Sequence, residues 1–145
     1  MGKAHPRTTH EVLEEVIAFW RQAGPGRWFA KDPAFNAAFR TRFLGAYHVA
    51  DRSQFDDWAT IAKGALALVI LLDQFPRNAF RGTARMYATD ALARQVAQRA
   101  IAAGLDREVE PALRLFFYLP FAHSEDPDDQ ERSVKLNTSL GRDYA

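Results

Sequence analysis

Cysteine is absent from this 145-residue chain, which excludes disulfides, thiolate nucleophiles and zinc sites with cysteine ligands. An excess of one charge is also lacking: the formal net charge is +1, so composition indicates neither a nucleic-acid nor a membrane partner. The longest apolar run, residues 65–72, is too short to cross a bilayer, and the opening MGKAHPRTTH has no apolar stretch typical of an export signal. We therefore expect a cytoplasmic protein with no nucleic-acid partner and no membrane association.

Several well-known catalytic motifs are missing too. The chain contains no P-loop, no GxGxxG, no HExxH and no GxSxG. Serine hydrolysis through Ser124 and His123 is unattractive because neighbours in sequence rarely point at each other correctly. We expect no cofactor and no metal, since three polar residues packed locally are a weak metal signal.

The residues that are present predict helices. Hydrophobic residues make up 48% of the chain and charged residues 26%, as in ordinary globular proteins. Apolar residues recur at helical spacing, and no stretch alternates with period two for long enough to indicate a strand. The fold class expected is all-α: one domain, residues 1–145, of antiparallel helix pairs in a bundle or short solenoid. The aromatic residues expected in its core are Trp20, Trp28, Phe29, Phe35, Phe39, Phe43 and Trp58.

Local signals set the expected helix boundaries. Thr8 and Glu11 form a capping box before the first helix, and an Asp-Pro pair at Asp32 starts the second. Pro76 is expected to interrupt the central helix, and Pro120 to end a later one. The predicted helices run from Thr8 to the stop at residues 24–26, from Asp32 to Ala50, from Gln54 to Lys63, from Ala65 to Gln74, from Ala91 to Ala103 behind a cap at Asp90, from Glu110 to Leu119 and from Asp128 to Leu140.

A first polar cluster follows the most apolar segment, in LALVILLDQFPRNAFRG. Arginine side chains offer forked donors suited to carboxylate or phosphate, and neighbouring carboxylates and amides can hold those forks in place. The cluster is therefore either an anion-recognition pocket or a set of side chains that satisfies the backbone groups left open by proline. Its members are Asp73, Gln74, Arg77, Asn78 and Arg81.

A second polar cluster lies in LPFAHSEDPDDQ, again where an apolar segment ends. His123 and Glu125 are the candidate catalytic residues, because imidazole and carboxylate can exchange protons near neutral pH. The alternative is that Ser124 is a turn or cap residue and that the acidic residues only stabilise a helix start. Ser124 and Gln130 complete the candidate ligand-binding set.

These segments carry a family resemblance. LALVILLDQFPRNAFRGTARMYATDALA and FFYLPFAHSEDPDDQERSV, together with VLEEVIAFW and KDPAFNAAFRTRF, resemble the bacterial family called domain of unknown function 924. The resemblance implies helix pairs stacked as in tetratricopeptide-repeat proteins, with a concave face, and it implies no reaction. Members of that family usually continue with a further helical segment, whereas this chain stops at Ala145, so an exposed apolar face and a homo-oligomer that covers it are both open.

Three functions remain open on the sequence alone. The preferred hypothesis is a binding module in which Asp73, Arg77, Arg81, His123 and Glu125 converge on a small anionic ligand or a peptide carboxylate. A hydrolase-like enzyme would instead use His123 and Glu125 for proton transfer. In the third, the clusters form an internal ion-pair network that fixes helix register.

Overall fold

The computed structural model describes residues 9–30, 32–52 and 56–144, and every regular element in these ranges is a helix. This confirms the all-α prediction, while the tetratricopeptide-like arrangement stays a prediction. None of the helices in the described ranges is long and apolar enough to span a membrane. The α-helices are α1 (Thr9–Ala23), α2 (Pro25–Trp28), α3 (Pro33–Asp51), α4 (Ala62–Val69), α5 (Phe75–Ala79), α6 (Asp90–Ala102), α7 (Pro111–Arg114), α8 (Leu119–Ala122) and α9 (Pro127–Tyr144).

Helices α1 and α3 form as their periodicity predicts. The Asp32 carboxylate accepts the backbone N–H of Phe35 at 3.1 Å, and a proline occupies the first turn, so α3 has both expected start signals. Phe35, Phe39 and Phe43 are buried on one face, where they surround Phe19 of α1 at ring distances of 5.3–5.4 Å. The predicted capping residue Thr8 lies outside the described residues.

The core surrounds α4. Residues 65–72 are each no more than 3% exposed. Helix α4 packs against both α1 and α6. Because other helices cover this segment on all sides, it is apolar on all sides. The predicted core aromatics are buried except for Phe29, whose side chain is 59% exposed.

The predicted break at Pro76 is wrong. The chain stays helical through a single π turn, Ile70–Gln74, and continues directly into α5 with Pro76 in its first turn. The wider π turn accommodates the proline ring, and the Leu72 carbonyl, which Pro76 leaves without an amide donor, accepts the Thr89 hydroxyl at 2.7 Å. Asp73 and Gln74 therefore lie inside a continuous helical segment and are buried.

Other boundaries also differ from prediction, among them the end of α9, which lies at Tyr144 and not at Leu140. The helix expected over Glu110–Leu119 is divided into α7, a 3₁₀ turn at Leu115–Phe117 and α8, so Pro120 lies in the first turn of a helix instead of ending one. Of the helix expected over Gln54–Lys63, Asp56–Thr60 is a 3₁₀ turn and α4 starts at Ala62, while residues 53–55 lie outside the described ranges. Asp90 is the first residue of α6, and its side chain binds Arg77 instead of capping the helix.

A buried pair links Tyr118, the residue before α8, to the turn after α6. The Tyr118 hydroxyl donates to Asp106 Oδ2 at 2.6 Å, and both side chains are buried. Burial and this hydrogen bond raise the pKa of Tyr118 well above its ordinary value of 10.0.

Stability at alkaline pH should depend on this tyrosine. A pKa raised by folding means that the neutral phenol stabilises the native state below about pH 10, and that this contribution is lost as the pH rises further. Tyr118→Phe should cost about 1–3 kcal/mol at pH 7, because Asp106 loses a partner, and should flatten the decline above pH 10. Urea unfolding between pH 7 and 11 measures both effects, with Tyr87→Phe at an exposed site as the control. An undiminished alkaline decline in Tyr118→Phe would contradict the assignment.

Candidate functional site

Helix packing brings the two polar clusters together at Asp73. Helix α8 packs against α6, and α6 packs against the π turn that carries Asp73, so His123, directly after α8, reaches the turn. His123 Nδ1 lies 2.8 Å from Asp73 Oδ1, although the two residues are 50 positions apart. The two clusters therefore share one site.

Asp73 is the buried centre of this site, with 1% of its surface exposed. Its Oδ1 contacts His123 and accepts from Arg77 NH1 at 3.2 Å, and its Oδ2 accepts from Gln74 Nε2 at 2.8 Å. A buried carboxylate is tolerated only when its oxygens are paired in this way. Gln74 serves that purpose and is itself buried, so it holds Asp73 in position and is not available to a ligand.

Arg77 is occupied by two carboxylates. NH1 donates to Asp90 Oδ1 at 2.7 Å and NH2 to Asp90 Oδ2 at 3.0 Å, while NH1 also contacts the Asp73 carbonyl oxygen at 3.0 Å. Burial by itself lowers the pKa of Arg77, but the hydrogen bond with Asp90 and the charges of Asp73 and Asp90 outweigh it and raise the pKa above its ordinary value. Arg77 is thus a fixed cation that bridges the π turn and the start of α6.

The loop after His123 is held by its own hydrogen bonds. Ser124 Oγ donates to Asp129 Oδ2 at 2.7 Å and accepts the Asp126 backbone N–H at 3.1 Å. Gln130 Nε2 donates to the Ser124 carbonyl oxygen at 2.9 Å. Ser124 and Gln130 therefore build the entry to α9, and this favours the structural interpretation for these two residues.

Several of these groups line a cleft of about 890 Å³. Two other depressions, of about 640 and 590 Å³, hold few or no titratable side chains, so the cleft is the better candidate site. Four of its residues are outside the predicted site set: Tyr87, Asp90, Arg94 and Asp126. Asp90 is predicted only as a helix cap. Arg94 lies one turn further along α6, and Tyr87 precedes that helix. The available signal for Asp90 and Arg94 was their i, i+4 spacing, which is typical of an ion pair on a helix. The lining residues are Arg77, Tyr87, Asp90, Arg94, His123, Ser124, Glu125 and Asp126.

Five of the nine predicted site residues do not line the cleft: Asp73, Gln74, Asn78, Arg81 and Gln130. Arg81 is exposed in the turn after α5 and does not line the cleft, so its predicted place beside Arg77 is wrong. It lies after the end of the helix and does not share the inward face of Arg77. Asn78 is buried and also absent from the lining, and its Nδ2 has no hydrogen-bond partner in the described structure.

Metal-binding potential can be judged from the same groups. In the described ranges, no three or more His, Asp or Glu side chains are grouped so that they could hold a metal ion. The ionisable side chains that line the cleft are instead either paired with another side chain or exposed in the cleft.

Together these observations define an all-helical protein with a polar cleft built on a histidine–aspartate pair. Residues 16–145 match the model of a bacterial protein family of unknown function, DUF924, and the chain belongs to that family. Its structure is similar to that of ATU0120, a protein of unknown function from Agrobacterium tumefaciens, with 50% sequence identity and a TM-score of 0.90. That similarity covers 92% of this chain and 76% of the other. No curated protein matches the chain.

Proposed function

We propose that the cleft binds a small polar molecule and that His123 acts on it as a general base. The observation that carries this proposal is the 2.8 Å contact between His123 Nδ1 and the buried carboxylate of Asp73. A carboxylate only accepts hydrogen bonds, so Nδ1 holds the proton in the neutral ring and Nε2 is the free base. With Nδ1 turned to the interior and the ring lining the cleft, Nε2 is the nitrogen offered to a bound molecule.

The pair suits proton transfer. When Nε2 accepts a proton, the ring becomes a cation beside the negative Asp73, which stabilises the charge as it forms. Ser124 Oγ is engaged by Asp129, so the group that His123 would deprotonate is a water molecule or a group of the substrate itself. The protonated His123 can then return this proton to a leaving group, and Glu125, a carboxylate exposed at the cleft, is a second proton acceptor.

Replacement of His123 tests the proposal. In a panel of ester, amide and phosphoester substrates, we expect any turnover by the wild type to fall by about 10²–10⁴-fold in His123→Gln, which keeps a polar side chain but removes the base. His48→Gln, at an exposed histidine on α3, is the matched control and should leave turnover unchanged. Equal turnover in His123→Gln and wild type would overturn the role of His123.

A binding module without turnover is the second candidate. The engaged Ser124 hydroxyl supports it, because the cleft then offers no side-chain hydroxyl nucleophile at that position. In this hypothesis, stacked tetratricopeptide-like helix pairs of a cytoplasmic protein present the cleft to a small ligand or a peptide carboxylate. An anionic ligand would have to rely on Arg94 and a protonated His123, since both terminal nitrogens of Arg77 already donate to Asp90. Saturable binding by a protein that turns over no member of the panel would favour this candidate.

A further inference from the structure

Both arginines that line the cleft already have carboxylate partners. Arg77 donates to both oxygens of Asp90 and also contacts Asp73. Arg94 Nε lies 3.8 Å from Asp129 Oδ2, with about 30% of each side chain exposed. A ligand anion would therefore compete with fixed internal carboxylates for these donors.

Two carboxylates that line the cleft, by contrast, have no cationic side chain as partner among the described residues. Within the described ranges, the Glu125 carboxylate has no hydrogen bond or ion pair. Asp126 Oδ1 accepts the Asp128 backbone N–H at 2.9 Å at the start of α9, and in the same ranges it has no ion pair with a cationic side chain. The two guanidinium groups are thus paired with Asp73, Asp90 and Asp129, while Glu125 and Asp126 line the cleft without a cationic side chain as partner in the part of the chain that the structure describes.

The hydrogen-bonding groups of the cleft also favour a ligand that donates hydrogen bonds. His123 Nε2 is an acceptor as long as Nδ1 donates to Asp73, and the Glu125 carboxylate accepts only. The cleft accordingly presents acceptors that need donors, and an ammonium or guanidinium group supplies three to five N–H donors with a positive charge.

An aromatic side chain adds a third feature. Tyr87 lines the cleft with 58% of its surface exposed, and its ring already holds the Arg77 guanidinium 5.5 Å from the centroid. The rest of this electron-rich ring is open to a second group, and aromatic faces attract cations.

From these three features we infer that the molecule bound in the cleft carries an ammonium or guanidinium group, held by Glu125 within reach of Tyr87. The inference rests on the proposed function and names the chemical class of its substrate. It replaces the anion predicted from the sequence, because that prediction required Arg77 and Arg81 to be available.

Three probes that share a phenyl ring test the sign of the charge. Benzylamine, benzyl alcohol and benzoate differ at one group, which is cationic, neutral and anionic at pH 7. By NMR titration of the labelled protein, we expect benzylamine to bind about fivefold more tightly than benzyl alcohol and benzoate to bind most weakly. Benzylamine affinity should fall about fivefold in Glu125→Gln and stay unchanged in Glu108→Gln, at an exposed carboxylate outside the cleft lining.

The outcomes separate this inference from the proton-transfer proposal. Benzoate binding as tightly as benzylamine, or no binding of benzylamine, would overturn the cationic class even if His123-dependent turnover is found. Equal affinity of Glu125→Gln and wild type for benzylamine would overturn the role of Glu125. Glu125-dependent binding of benzylamine by a protein whose panel turnover does not need His123 would support the ligand class and remove the general base.

Discussion

Gly64→Ala is expected to lower the free energy of unfolding by about 3 kcal/mol. Gly64 is buried in α4, and a Cβ there would overlap the carbonyl oxygen of Trp58 and lie 2.7 Å from its carbonyl carbon. These are backbone atoms, which cannot rotate away as a side chain can. Relief would require movement of the Trp58 turn or of the start of α4, the helix that leads to Asp73.

Gly45→Ala is the matched control and should change stability in the opposite direction. Gly45 is exposed within α3, and a Cβ there meets no atom within 4 Å. Alanine restricts the unfolded chain more than glycine and favours helix, so a gain of about 0.5–1 kcal/mol is expected. Urea unfolding of the two variants and the wild type measures both. A Gly64→Ala protein within about 0.5 kcal/mol of the wild type would contradict the described contact with Trp58.

The longer helices were predictable because their signals are local. The fourfold spacing of Phe35, Phe39 and Phe43 and the Asp32 cap lie within a few residues of the structure that they determine. The course of the chain at Pro76 was not predictable in this way. A proline after an apolar run is compatible with a broken helix or with a π turn, and burial of Asp73 and Gln74 against other helices determines which forms.

The candidate site was predictable as a meeting of two clusters but not as a set of bonds. Both clusters follow apolar helical segments, and this correctly suggested that Asp73 and His123 lie close together. The partners of Arg77 depend on tertiary packing: Asp90 lies 13 positions further along, at the start of another helix. The charge of the cleft therefore could not be deduced from its residue types, because it depends on which arginines are already paired.

Asp73→Asn is expected to destabilise the protein by about 3–5 kcal/mol. The substitution keeps the volume but removes the charge from a side chain that is 1% exposed and is bonded to His123, Arg77 and Gln74. One oxygen must then serve donors that two oxygens served, and the new amide N–H groups meet other donors. Urea unfolding measures the change, with Asp126→Asn, an exposed carboxylate of the same cleft, as the control expected within about 0.5 kcal/mol of wild type.

The same substitution separates a structural from a catalytic role of Asp73. An amide N–H facing Nδ1 would move the proton of His123 to Nε2, so the base would be lost even in molecules that remain folded. Nitrogen-15 NMR of His123 reports the proton position, with Nδ1 protonated expected in the wild type and Nε2 protonated in Asp73→Asn. If destabilisation is large but the proton stays on Nδ1, Asp73 acts through the ion pair with Arg77. A double-mutant cycle between Asp73→Asn and Arg77→Gln would then give a coupling energy that accounts for most of the destabilisation. The internal ion-pair network would in that case account for the site.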